Sequence, residues 1–167
     1  MKRHARLGLL ATTILATPAA AEEVYDLGTL VFSGGFTPVE ASEYGRAASV
    51  LTEEEIEESG EQYVADVLRS LPGVSVSRTG GFGGLTQVRL RGHEGNHTLV
   101  LIDGVEVAAP NQGEYDFGSL LAVEIARIEV IRGPQSALYG SNAIGGVISI
   151  TTKRPTEPGL SGEVGFE

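Results

Sequence analysis

The sequence predicts an α+β fold of short strands with short helices between them, and three stretches carry that expectation. From Ala126 to Thr152 the chain reads strand, tight turn, one helical turn, glycine hinge, strand. Residues 52–71 hold two consecutive helix signals. Between these regions lie short β-prone or apolar runs at Val74–Ser77, Gln87–Gly92 and His97–Asp103.

The first 21 residues read as a secretory signal. Lys2, Arg3 and Arg6 form a basic start, Leu7–Ala16 an apolar stretch, and Ala19-Ala20-Ala21 a small-residue cleavage site. The apolar run is too short for a membrane anchor, so Glu22 is the expected first mature residue. No other segment is apolar and long enough for a transmembrane helix. The whole chain carries 12 basic and 22 acidic residues, a net charge of −10. The signal holds three of those basic residues and no acid, leaving 22 acidic against 9 basic residues, a net of −13. Such a balance excludes nucleic acid as a partner. There is no cysteine, so an exported chain would owe nothing to disulfides. An export signal without cysteine suits a bacterial envelope protein.

Residues 22–45 are polar and glycine-rich, with one apolar patch at Leu30-Val31-Phe32. This is the composition of a flexible periplasmic extension. A compact domain, residues 46–153, follows. Ala47–Leu51 reads as a strand. Thr52 with Glu55 three residues later makes a capping box, and Glu53, Glu54 and Glu55 suit the positive end of a helix dipole better than a metal site. Gly60 ends that helix. Val64, Val67, Leu68 and Leu71 place one apolar stripe on a second helix, which Pro72-Gly73 stops. Val74–Ser77 is a strand, Arg78–Thr86 a glycine-rich loop, Gln87–Gly92 a strand, and His97–Asp103 an apolar strand at the centre of the sheet. In the last block, Gly133-Pro134 stops the strand holding Ile128 and Val130, and Gly145-Gly146 opens the run Val147–Ile150. Arg127 and Arg132 stand in apolar surroundings there and need partners.

Enzyme signals are thin. His93-Glu94-Gly95-Asn96-His97 matches the H-E-x-x-H zinc pattern, which works only when a helix projects both histidines from one face. Gly92, Gly95 and Asn96 favour a turn instead. No other His or Cys follows residue 21, so a third ligand would have to be a carboxylate. Gly80–Gly84 lacks the lysine and helix of a phosphate cradle, and Gly140-Ser141-Asn142 lacks the spacing of a hydrolase elbow. Asp103, Glu106, Glu114 and Asp116 match no standard calcium loop.

Four motifs in order, DVLRSLPGVSV (66–76), VRLRG (88–92), TLVLIDGVEV (98–107) and RIEVIRGPQSALYGSNAIGGVISI (127–150), resemble the plug domain of TonB-dependent outer-membrane receptors. Cobalamin receptors are the most similar in pattern. The resemblance implies a small mixed β-sheet with flanking short helices, lodged inside a barrel of about 22 strands. It implies a non-enzymatic role without metal or cofactor: gating a barrel in the outer membrane and helping to bind cobalamin or a ferric siderophore. Asp26, Leu27, Gly28, Thr29, Leu30, Val31, Phe32 and Ser33 resemble the TonB box, an extended segment that adds as a strand to TonB, which an inner-membrane complex energises. In the family the arginines at the positions of Arg91 and Arg132 meet glutamates on the barrel wall and lock the plug in place. Loops at the positions of 79–85 and 109–117 contact substrate, making Phe82, Asn111, Gln112 and Tyr115 candidate contacts.

Beyond a linker, residues 154–160, the alternation in 161–167 reads as the start of a first barrel strand. A membrane strand needs about 9–11 residues, so the expectation is a fragment, a truncated product or a stand-alone plug. The alternatives are a stand-alone periplasmic plug-like binding module and, more remotely, a zinc hydrolase using residues 93–97.

Overall fold

A computed structural model describes residues 30–31, 39–40, 47–81, 83–108 and 113–154 of the chain. The expected signal, most of the 22–45 extension and the stretch beyond Arg154 lie outside the described residues. The strands are β1 (Leu30–Val31), β2 (Val39–Glu40), β3 (Ala48–Thr52), β4 (Val74–Arg78), β5 (Thr86–Leu90), β6 (Thr98–Ile102), β7 (Val105–Glu106), β8 (Ile125–Arg132) and β9 (Gly146–Thr152). The α-helices are α1 (Glu53–Glu58), α2 (Val64–Arg69) and α3 (Ser136–Tyr139).

Five strands form the main sheet in the order β3-β8-β9-β6-β7. It is mixed: β6 and β9 run parallel, and every other neighbouring pair is antiparallel. The expected α+β mixed sheet with short helices is therefore the observed fold. The centre belongs to β9, not to β6 as the apolar run suggested. β9 is buried over most of its length because it is flanked on both sides, and β6 is flanked outside by the two-residue β7. Strands β4 and β5 form a separate antiparallel hairpin outside this sheet.

Alternation sorts the side chains onto two faces. Val100, Ile128, Val130, Ile148 and Ile150 share one face and join Ile56 of α1, Val64, Val67 and Leu68 of α2, and Val88 and Leu90 of β5 in the principal core. Each fully buried aliphatic side chain there contributes about 1.5–3 kcal/mol. Of the predicted stripe, Val64, Val67 and Leu68 are buried on α2, whereas the helix stops at Arg69 and Leu71 lies beyond it, half-buried against the core. On the other face Leu99, Leu101, Val147 and Ala143 form a smaller cluster, with Tyr139 against it. Arg78 ties the hairpin to α2, donating to Asp66 at 2.8 Å and standing 5.7 Å from the Tyr63 ring centroid.

Local chemistry fixes the start of α1. Thr52 Oγ1 accepts from the Glu55 amide, and the Thr52 amide donates to Glu55 Oε2 at 2.9 Å, completing the predicted capping box. At the start of β9, Gly146 has φ 144°, and a Cβ there would stand 2.2 Å from the Ile131 carbonyl oxygen. Only glycine lets β9 approach β8 this closely.

Candidate functional site

Two of the candidates, Arg91 and Arg132, meet at the end of the main sheet where β3 starts and β8 finishes. Arg132 closes β8 on the same face as Ile128 and Val130, so its side chain runs beneath the hairpin and only 5% of the residue is exposed. Its guanidinium donates to the Pro72 carbonyl at 3.0 Å and to Ser49 Oγ at 2.8 Å. Arg91 follows β5 directly, with φ 51°, and its amide donates to the Gly73 carbonyl at 2.8 Å. A Cβ on Gly73 would lie 3.5 Å from Arg132 Cδ and 3.7 Å from Arg91 Cγ, so this glycine separates the two arginine stems. Ala48, Ser49, Pro72, Gly73, Arg91 and Arg132 line a cleft of about 440 Å³.

Burial, followed by the neighbouring charge of Arg91, holds the Arg132 guanidinium below the usual arginine range. The cleft thus holds two cations, one buried and one exposed. Arg91 and Arg132 line the same cleft. Arg132 ends β8 at Gly133 as expected and is buried there, whereas Arg91 and Gly92 lie in a left-handed turn beyond β5. The third arginine singled out by sequence, Arg127, finds its partner two residues along the same strand: its Nε donates to Glu129 Oε1 at 2.7 Å.

Of the TonB-box residues, only Leu30 and Val31 are described. Their backbone is extended as expected, but it is not unpaired: Leu30 pairs with Glu40 and Val31 with Val39. Asp26, Leu27, Gly28, Thr29, Phe32 and Ser33 lie outside the described residues, as do Phe82, Asn111 and Gln112. Tyr115 is half-buried, with its ring edge-on to Phe117 at 4.8 Å, and packs against the principal core.

The zinc pattern is not helical. Glu94 is extended, and Gly95–His97 is a single 3-10 turn. The two imidazoles meet edge-on with centroids 6.2 Å apart, and the turn packs on Gly145, whose amide donates to the His97 carbonyl. Glycine and asparagine inside the motif favour this turn, so the arrangement required of a zinc hydrolase does not form. The four scattered acids do not converge either. Asp103 accepts from Thr152, Glu106 from Asn142, Glu114 from Gln87, and Asp116 from Thr86 and Gly118. Sequence reasoning missed Ser49 and Pro72 as partners of Arg132. Ser49 carries no motif and Pro72 reads only as a helix stop, and only the crossing of three segments brings them to Arg132.

A family model, TonB-dependent Receptor Plug Domain, matches residues 40–147, and the chain belongs to this family. The chain is 42% identical over 147 residues to "Vitamin B12 transporter BtuB" of Vibrio vulnificus, covering 86% of this chain and 24% of that protein. It is 48% identical over 104 residues to the transporter of the same description in Photobacterium profundum, covering 62% and 17% respectively. Among solved structures, the siderophore receptor PirA from Acinetobacter baumannii is similar with a TM-score of 0.55 at 35% identity, over 66% of this chain and 18% of that one. The ferric enterobactin receptor PfeA from Pseudomonas aeruginosa gives 0.54 at 34%, over 65% and 18%. The chain therefore spans a quarter or less of the length of each of these relatives.

Proposed function

We propose that this domain is the gate of an outer-membrane importer. On this reading it occludes a barrel, helps to bind the imported nutrient, and rearranges when TonB draws on the N-terminal segment. The observation that carries the reading is the cleft that brings Arg91 and Arg132 together at the end of a plug-family sheet, a paired cationic seat. Glutamates on a surrounding barrel wall would sit against it. Cobalamin is the favoured nutrient, because the two vitamin B12 transporters stand at 42% and 48% identity and the siderophore receptors at 34–35%. Leu30-Val31 belongs to the segment that TonB grips by strand addition. Among the described residues β1 pairs only with β2, and strand addition would use its other edge.

The test is binding of the chain to the purified periplasmic domain of TonB. Proline at Leu30 or at Val31 removes a main-chain donor and restricts the preceding residue. Binding to the wild type that both substitutions abolish supports the reading. Equal binding by all three proteins shows that the segment has been misplaced.

A further inference from the structure

Lys153 is the only lysine after residue 21. It stands immediately past β9, where its backbone amide donates to the Glu124 carbonyl at 2.8 Å. Its ammonium meets two carboxylates of α1, Glu53 Oε1 at 2.9 Å and Glu57 Oε1 at 2.6 Å. These acids are four residues apart and share one helix face. Thr152 beside it is held independently: its amide and hydroxyl donate to the Asp103 carboxylate at 3.0 and 2.7 Å. The end of β9 is thus a fixed post, and the side chain of Lys153 reaches from it to α1.

Thr52 both ends β3 and caps α1, so the two elements form one continuous unit. That unit is the first part of the compact domain reached from the N-terminal side. Among the described residues β3 is the edge strand of the main sheet, paired there only with β8. Detaching β3 draws α1 with it, unseating Ile56 from the core and parting Glu53 and Glu57 from Lys153. We propose that Lys153 is a latch that fastens the first structural unit, β3 with α1, to the last strand of the domain. The latch sets how readily the leading unit comes away while the rest stays folded. It rests on the gating reading only for what pulls on β3, since the ionic contact belongs to this chain alone.

Hydrogen exchange read by mass spectrometry on the full chain tests it, comparing wild type, Lys153→Met and Lys153→Arg at neutral pH and low salt. A largely exposed ion pair of this kind corresponds to a roughly two- to fivefold effect. Residues 48–58 should exchange faster by that factor in Lys153→Met, with Thr98–Ile102 unchanged and protection restored in Lys153→Arg. Salt of about 0.5 M should accelerate the same segment in the wild type by screening the pair. Glu53→Gln with Glu57→Gln removes the contact from the helix side and should give the same pattern in a chain that keeps Lys153. Unchanged exchange at 48–58, or equal acceleration at 98–102, overturns the latch. TonB binding is measured separately, so failure of the latch and failure of the gating reading are distinguishable.

Discussion

Arg132 and Arg91 share a cleft but should answer differently to truncation. Arg132 is buried, and its removal leaves the Pro72 carbonyl and the Ser49 hydroxyl without their donor and a void along the stem. Arg132→Ala should lower stability by roughly 1–3 kcal/mol in urea unfolding. Arg91→Ala should stay within about 0.5 kcal/mol, because that side chain is exposed and its loss relieves Arg132 of a like charge. Equal losses from the two variants would mean that burial does not distinguish them. A pH dependence also belongs at this scale. The two hydrogen bonds from Thr152, with a smaller part from Arg154, hold the Asp103 carboxyl below its usual 3.8. Its contribution is therefore complete above that usual value and is lost as pH falls through the depressed one. The acids of α1 hold the Lys153 ammonium above its usual 10.5, so its contribution is complete below that value and is lost only in stronger alkali. Between about pH 5 and 9 the end of β9 should keep constant amide protection. Asp103→Asn should flatten the acid limb alone, which a pH series of exchange at Thr151 to Lys153 would check.

Among elements, those built from local chemistry were legible and those built from crossings were not. The Thr52–Glu55 box, the Val64, Val67 and Leu68 stripe on α2 and the apolar run of β6 stand where spacing put them, whereas Leu71 falls beyond the helix. Strand ends drifted wherever a turn needed tertiary support: β5 stops at Leu90 because Arg91 is pinned in a left-handed conformation by the Gly73 carbonyl. β7 is two residues long and exists through its pairing with β6, so no periodicity marks it. The site divides in the same way. Arg91 and Arg132 carry recognisable motifs, whereas their adjacency and the role of Gly73 between them come from the fold. The cap predicts that Thr52→Ala destabilises by about 0.5–2 kcal/mol, seen as a lower urea midpoint with an unchanged slope. Gly146→Ala should cost more, about 1–3 kcal/mol or beyond, because its methyl would collide with the Ile131 carbonyl and Leu90. A neutral outcome at Gly146 would contradict the close approach of β8 and β9.

For the whole molecule, the register sets the direction of travel. β3 starts beside the end of β8, with Ala48 opposite Ile131, whereas β9 finishes beside the start of β8, with Thr152 opposite Ile125. The chain thus enters the sheet at the arginine cleft and leaves it at the latch, at opposite ends. A domain gripped at its leading segment and held at its trailing one would carry load along its strands, which is what the proposed gating role asks of it. The most direct measurement is vitamin B12 uptake by a chimera in which residues 22–154 replace the corresponding part of the Vibrio vulnificus transporter. Uptake that depends on TonB, and that is abolished by Val31→Pro while B12 binding persists, is the predicted result. B12 uptake that proceeds equally without TonB, or a barrel that leaks small solutes as freely as one lacking its plug, would contradict the account.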